Sequence, residues 1–361
     1  MVESRSVVVG ILVAAGLAAC SPTVNESSGT GSGGNAAASS SSSGVVGSSS
    51  SSGSSSGSSS GGTGGFDPGG TVTTLTQDVK EPAVPAGTEN TQCIFTTLGN
   101  AEGAFVRRFR ATLNEGSHHM IVYRADGATE NLVPQDCQPF AGLLTGDHPI
   151  FIAQQAKAEL DFPNDADGTP VGLEIKPNQM VRIELHFINT TMAPLDIKGT
   201  IHVDTIPLSA KVVQSDLAFW GTTQINIPPD SAFKTPVVFQ RALPDTKTFA
   251  LTTHQHKLGT RMRVWYASDA NDISQAPVAD GQNWQDPPLE LFTPALDFPA
   301  ASGGKFSSKG FAYQCEWNNT TPNTVTFGES AGTNEMCFLW QYYFPSVGFQ
   351  LCVDGFCKKP Q

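Results

Sequence analysis

The chain has seven histidines, and five of them fall in three settings: the pair His118-His119, His186 within the segment Met180–Ile188, and His254-Gln255-His256. Imidazole nitrogen is the commonest transition-metal ligand that a protein offers. Side chains at i and i+2 of a strand point the same way, so His254 and His256 share one face and can reach one ion. Neighbouring side chains point apart. His118 and His119 can share an ion only if the chain kinks, and Glu115-Gly116-Ser117 just before them offers a bulge or a strand end. Within Met180–Ile188, Val181, Ile183, Leu185 and Phe187 form an apolar face, and His186 lies on the other face with Arg182 and Glu184.

His118, His119 and His186 therefore make one candidate site of three imidazoles. His254 and His256 need a third ligand, and Met336, at the head of the aromatic run 336–344, supplies a thioether. Soft sulfur beside imidazole favours copper, Cu(I) above all, over zinc or magnesium. A serine-hydrolase reading is open at Gly328-Glu-Ser-Ala-Gly332, which fits G-x-S-x-G. That motif needs a helix after it and an Asp and a His further along, whereas the last histidine, His256, precedes Ser330. The segment is expected to be a turn.

The elements that must carry these residues read as strands. Alternation with period two, broken by Pro, Gly, Asn and Asp clusters, marks 105–113, 180–188, 199–206, 237–241, 248–258, 261–266, 309–317 and 336–344. No segment has a capped 3.6-residue period. The expected fold is all-β, with two tandem jelly-roll sandwiches over 71–212 and 213–361.

Ahead of them, Arg5 and the apolar stretch Val7 to Ala19 read as an export signal over 1–19. Leu17-Ala18-Ala19-Cys20 resembles the lipobox of bacterial lipoproteins, which implies a lipid on Cys20, anchorage to a membrane, and an outer-membrane or cell-surface location. Residues 20–70, nearly all Ser, Gly, Ala and Thr after the first few, bury too little apolar surface to fold and would act as a tether. About 50 flexible residues reach roughly 40 Å. Six cysteines remain, an even number suited to an oxidising compartment. Asp354-Gly355 would turn a hairpin closing Cys352 on Cys357, and the other pairs are expected as Cys93 with Cys137 and Cys315 with Cys337, one per domain. A net charge of −12 argues against a nucleic-acid partner.

Four ordered motifs, Glu115-Gly-Ser-His-His-Met120, Glu184-Leu-His186-Phe, His254-Gln-His256-Lys-Leu-Gly259 and Gly332-Thr-Asn-Glu-Met-Cys337, resemble those of the type II, ascorbate-dependent copper monooxygenases over roughly residues 90–345. The resemblance implies two copper ions per chain across an open, water-filled cleft. His118, His119 and His186 would hold the electron-supplying copper. His254, His256 and Met336 would hold the copper where O2 is activated and a substrate C–H bond is hydroxylated, with ascorbate or another one-electron reductant. The same resemblance places disulfides at the two interior cysteine pairs.

The peptide-amidating branch holds a peptide carboxylate with Arg, Asn and Tyr at positions that here are Thr252, Phe338 and Trp340. A carboxylate would find neither its cation nor its polar partners. The expected substrate is therefore a small apolar or aromatic molecule. The competing reading is a non-catalytic copper-binding lipoprotein for acquisition or storage.

Overall fold

A computed structural model describes residues 68–140, 147–304 and 306–358. The expected signal segment 1–19, Cys20 and the Ser/Gly tract up to residue 67 lie outside the described residues. Two series of strands follow one another. The first runs β1 (Thr73–Val84), β2 (Glu89–Thr97), β3 (Ala104–Leu113), β4 (Ser117–Arg124), β5 (Asn131–Asp136), β6 (His148–Ala153), β7 (Lys157–Asp161), β8 (Val171–Ile175), β9 (Met180–Ile188), β10 (Leu195–Pro207) and β11 (Val213–Gln214). The second runs β12 (Asp216–Gly221), β13 (Asn226–Ile227), β14 (Ser231–Lys234), β15 (Val238–Arg241), β16 (Thr246–His254), β17 (Gly259–Ala267), β18 (Ala279–Gly281), β19 (Leu289–Phe298), β20 (Gly310–Asn319), β21 (Val325–Thr326), β22 (Phe338–Phe344), β23 (Gln350–Val353) and β24 (Phe356–Lys358). Among the described residues there is no helix, and the protein is all-β.

Each series forms its own pair of larger sheets. In the first, β1-β10-β3-β8-β11, with β7 alongside β3, faces β5-β2-β9-β4-β6. Phe109, Ile121, Phe151, Ile183 and Leu185 belong to the core they share. In the second, β19-β16-β22-β12-β23-β24 is accompanied by β14-β20-β17-β18, with β15 on β20. The alternation that marks strands in the sequence explains both sandwiches, because it gives each sheet one apolar face to bury.

Strand β22 is buried on both faces, and its alternation sorts two cores. Leu339 and Tyr343 pack with Trp220, Leu251 and Trp317 inside the second series. Phe338, Trp340, Tyr342 and Phe344 pack with Phe219 and Phe249 into the core that also holds the first series. The rings of Phe162 and Phe249 lie 5.3 Å apart, and the Ile152 N–H donates to the Tyr342 hydroxyl at 3.0 Å. Each such ring removed from water contributes about 1.5–3 kcal/mol. The two series are thus held face to face by apolar surface.

Disulfides Cys93–Cys137 and Cys315–Cys337 are present. Cys352 is also disulfide-bonded, and in the β23–β24 hairpin its backbone pairs opposite Cys357, whose side chain lies outside the described residues.

Candidate metal centre

Strands β4 and β9 bring the first three histidines together. Their register shifts between Ser117 and His119, so that Ser117 faces Phe187 and His119 faces His186. His118 is the extra residue of this bulge, and Gly116 ahead of it adopts a φ of 88°, which suits glycine. The kink expected from Glu115-Gly116-Ser117 is the device that turns both rings inward. On the other side, His254 closes β16 opposite Phe338, and His256 lies two residues beyond the strand end.

All five rings meet in one place. Ligand atoms of His118, His119 and His186 lie within 4.8 Å of one another, and so do those of His118, His254 and His256. The His118 ring centroid is 5.3 Å from that of His254 and 5.6 Å from that of His256. No ring is more than 3% exposed.

Carboxylate and carbonyl acceptors fix three of the tautomers. His186 Nε2–H donates to Glu89 Oε1 at 3.0 Å, which leaves the Nδ1 lone pair facing His119 Nε2–H at 3.3 Å. His254 Nδ1–H donates to Gln154 Oε1 at 2.5 Å, and His256 Nδ1–H to the Asn334 carbonyl at 3.1 Å, which leaves Nε2 free on both. Nitrogens Nδ1 and Nε2 of His118, Nδ1 of His119, and Nε2 of His254 and of His256 are buried without a partner. Unpaired buried polar atoms each cost about 1–3 kcal/mol, so five in one cluster, on four rings with one lone pair each, point to a ligand that takes those lone pairs. Burial, reinforced by the neighbouring rings, holds His118, His119 and His254 well below the usual imidazole range and His256 at about 3. These four rings are neutral at neutral pH, the form that binds a metal. The donor set fits copper.

Three further groups shape the centre. Gln154, from the end of β6, donates through Nε2 to Thr252 Oγ1 and to the Thr253 carbonyl, so its amide can present only Oε1 to His254. Glu335 accepts from the peptide N–H groups of His256 and Leu258 and from the Trp317 indole. Burial nevertheless raises its carboxyl to about 7. Phe140 adopts a φ of 57°, strained for a bulky residue, and places its ring 5.2 Å from His119 and 5.7 Å from His254. Trp284 covers His118 edge-on at 5.1 Å.

Met336 is buried and follows directly on Asn334 and Glu335, the two residues bonded to His256. Thr252, Phe338 and Trp340 are buried too. Thr252 is engaged by Gln154. Phe338 stacks on Phe219 at 4.5 Å, Trp340 lies 4.3 Å from Phe219, and both rings belong to the large core cluster. Gly221 permits that stack, since a Cβ there would stand 2.0 Å from the Phe338 ring.

Residues 220–359, which carry His254, His256 and Met336 on this scaffold, match the family model described as copper type II ascorbate-dependent monooxygenase, C-terminal domain. Over these residues the chain is similar to that family. Among solved structures, the chain is similar to PBCV-1 VP54 as fitted into a reconstruction of the virophage Sputnik, with 8% identity, 76% of this chain and 93% of that one covered, and a TM-score of 0.23. It is also similar to the ANXUR2 extracellular domain from Arabidopsis thaliana, with 11% identity, coverage of 80% and 86%, and a TM-score of 0.18. At these TM-scores neither likeness bears on fold or function.

One expectation drawn from the copper monooxygenases is corrected. The cleft between the two histidine sets is closed, and His118 lies within reach of both. The physical reason is the apolar face of β12 and β22, which buries Phe219, Trp340 and Tyr342 against the first series instead of leaving them to water. The G-x-S-x-G segment is a turn, as expected, and no helix follows it among the described residues. Sequence reading missed Glu89, Gln154, Glu335 and Phe140, because each acquires its partners from strands far away in the chain.

Proposed function

We propose that the protein is a copper-dependent monooxygenase that hydroxylates a C–H bond of a small apolar or aromatic substrate with O2 and an external one-electron reductant, ascorbate or another. What supports this reading is the cluster of buried histidines with unpartnered nitrogens in a chain whose residues 220–359, Met336 among them, match a monooxygenase family. Residues 71–212 and 213–361 would each contribute one site. His118, His119 and His186 would hold one ion, and His254, His256 and Met336 the other. Copper so held supplies one-electron chemistry, and the thioether favours its reduced state.

The chain's own residues do the rest. Glu89, Gln154 and the Asn334 carbonyl orient the rings so that their free nitrogens converge. Phe140 packs against His254 and stacks on Trp340, and with Phe338, the strand partner of His254, these rings would offer an apolar wall to a substrate once the halves part. With Thr252 tied to Gln154, no cation meets a substrate carboxylate there. Export and lipidation at Cys20 complete the proposal, and the disulfides suit the oxidising compartment that it requires.

Close packing of five histidines also favours a second reading, a copper store or carrier on the same scaffold. Metal analysis after copper loading and dialysis tests the shared basis of both. Two coppers per chain are expected, and one ion per chain or preferred zinc would overturn it.

A further inference from the structure

The turn that mimics a nucleophile elbow has a different occupation. Ser330 Oγ–H donates to Glu89 Oε2 at 2.9 Å, the Ala331 N–H to Oε1 at 2.6 Å and the Gly332 N–H to Oε2 at 3.1 Å. Thr333 in turn donates to Ser330 Oγ, which sets that hydroxyl toward the carboxylate. The fit is close, since a Cβ on Gly332 would stand 2.9 Å from Glu89 Oε2. Three donors converging on one carboxylate make an anion-binding concavity whose ligand is part of the same chain.

Glu89 is the first residue of β2, and its neighbour but one, Thr91, pairs with His186 across the sheet. Side chains two apart share a face, so the carboxylate lies beside the His186 ring and accepts its Nε2–H. One carboxylate thus bonds a histidine of the first strand series and a turn of the second. A cavity of about 280 Å³ opens against this junction, bordered by His186, Glu329 and Ser330.

We propose that Glu89 is a positioning residue and the 330–332 turn its clasp: contact between the two halves holds the carboxylate, and the carboxylate holds His186 in the Nε2–H tautomer with Nδ1 turned to the metal centre. The inference deepens the copper reading but does not depend on it. When the halves part, Glu89 loses three donors at once, and His186 loses the fixed acceptor that orients it. Approach of the second half is thereby coupled to the ligand geometry of the first.

The full chain tests this in its metal-free and copper-loaded forms, with Ser330→Ala, Gly332→Ala and Glu89→Gln. The Ser330 hydroxyl and the Gly332 N–H bond Glu89 and not a histidine. In the metal-free protein, amide exchange at residues 331–333 is expected to rise about tenfold or more in each variant. Nitrogen-15 spectra of the imidazoles should show His186 passing from a single Nε2–H tautomer to a mixture. In the copper-loaded protein, the Cu(II) paramagnetic resonance spectrum should change in Ser330→Ala as well as in Glu89→Gln. Unaltered exchange and an unaltered His186 tautomer in Ser330→Ala and Gly332→Ala would overturn the proposal, whatever Glu89→Gln does. Those metal-free changes in a chain that takes up no copper would uphold the clasp and remove the copper reading instead.

Discussion

Replacing Gln154 by Leu removes an amide that the first series contributes to a histidine of the second. The side chain is buried and makes three hydrogen bonds: Oε1 accepts from His254 Nδ1–H at 2.5 Å, and Nε2 donates to Thr252 Oγ1 at 3.0 Å and to the Thr253 carbonyl at 2.8 Å. Leucine fills most of the volume and accepts nothing. The His254 ring then has no acceptor to choose its tautomer, and the Thr253 carbonyl is left with one partner fewer. Loss of an outer-shell acceptor of this kind costs about 10–100-fold in metal affinity, which corresponds to about 1.4–2.8 kcal/mol. The loss should fall on the ion held by His254, His256 and Met336, while the ion held by His118, His119 and His186 keeps its affinity within about threefold. Copper titration against a competing chelator, following the two binding steps separately, reads both constants. Thr252→Val, which removes one anchor of the amide, should lie between wild type and Gln154→Leu. Equal weakening of both steps, or none, would refute the argument that Gln154 acts through His254.

Met336→Ile should abolish oxygen chemistry while copper stays bound at His118, His119 and His186, and X-ray absorption of the reduced variant should lose its copper–sulfur signal. Metal-free protein should lose stability as pH falls from 6.5 to 5. Four histidines with lowered pKa gain protons only on unfolding, at about 1.4 kcal/mol per pH unit each, and outnumber Glu184 and Glu335, whose carboxyls are raised to about 7 by burial and act with the opposite sign. A melting temperature that holds or rises at pH 5 would count against neutral buried rings. Gly221→Ala should destabilise by about 1–3 kcal/mol, because the new Cβ would meet the Phe338 ring at 2.0 Å and Phe338 is pinned against Phe219. Chemical denaturation measures it.

Much of the frame was legible in residue order. Alternation marked Met180–Ile188 with the bounds that β9 has, and the residues before His118-His119 announced the bulge. The segment expected to run on to residue 258 stops at His254, since the peptide N–H groups of His256 and Leu258 turn to the Glu335 carboxylate instead of a neighbouring strand. No local pattern encodes a carboxylate that arrives from 77 residues away. The strand β1 went unmarked because it is an edge strand whose residues are mostly exposed, so burial left little apolar signature in it. His186 was expected on a polar face, and that face is buried all the same: the Phe140 N–H donates to Glu184 Oε1, and Arg182 lies 4.1 Å over the Tyr123 ring. Period-two reading gives the side of a strand on which a residue lies but not what later segments lay over it. Glu89 and Gln154 escaped notice for the same reason.

The central claim is oxygen insertion. Copper-loaded protein should be supplied with a reductant, oxygen-18 gas and, in parallel, a phenethyl-type compound and a glycine-extended peptide, with the products read by mass spectrometry. The account predicts a copper-dependent hydroxylated product from the neutral aromatic compound carrying one oxygen-18 atom, and no product from the peptide, whose carboxylate finds no cation at Thr252. Tight copper binding with no labelled product from any neutral substrate would contradict the monooxygenase and leave a copper-binding protein in its place.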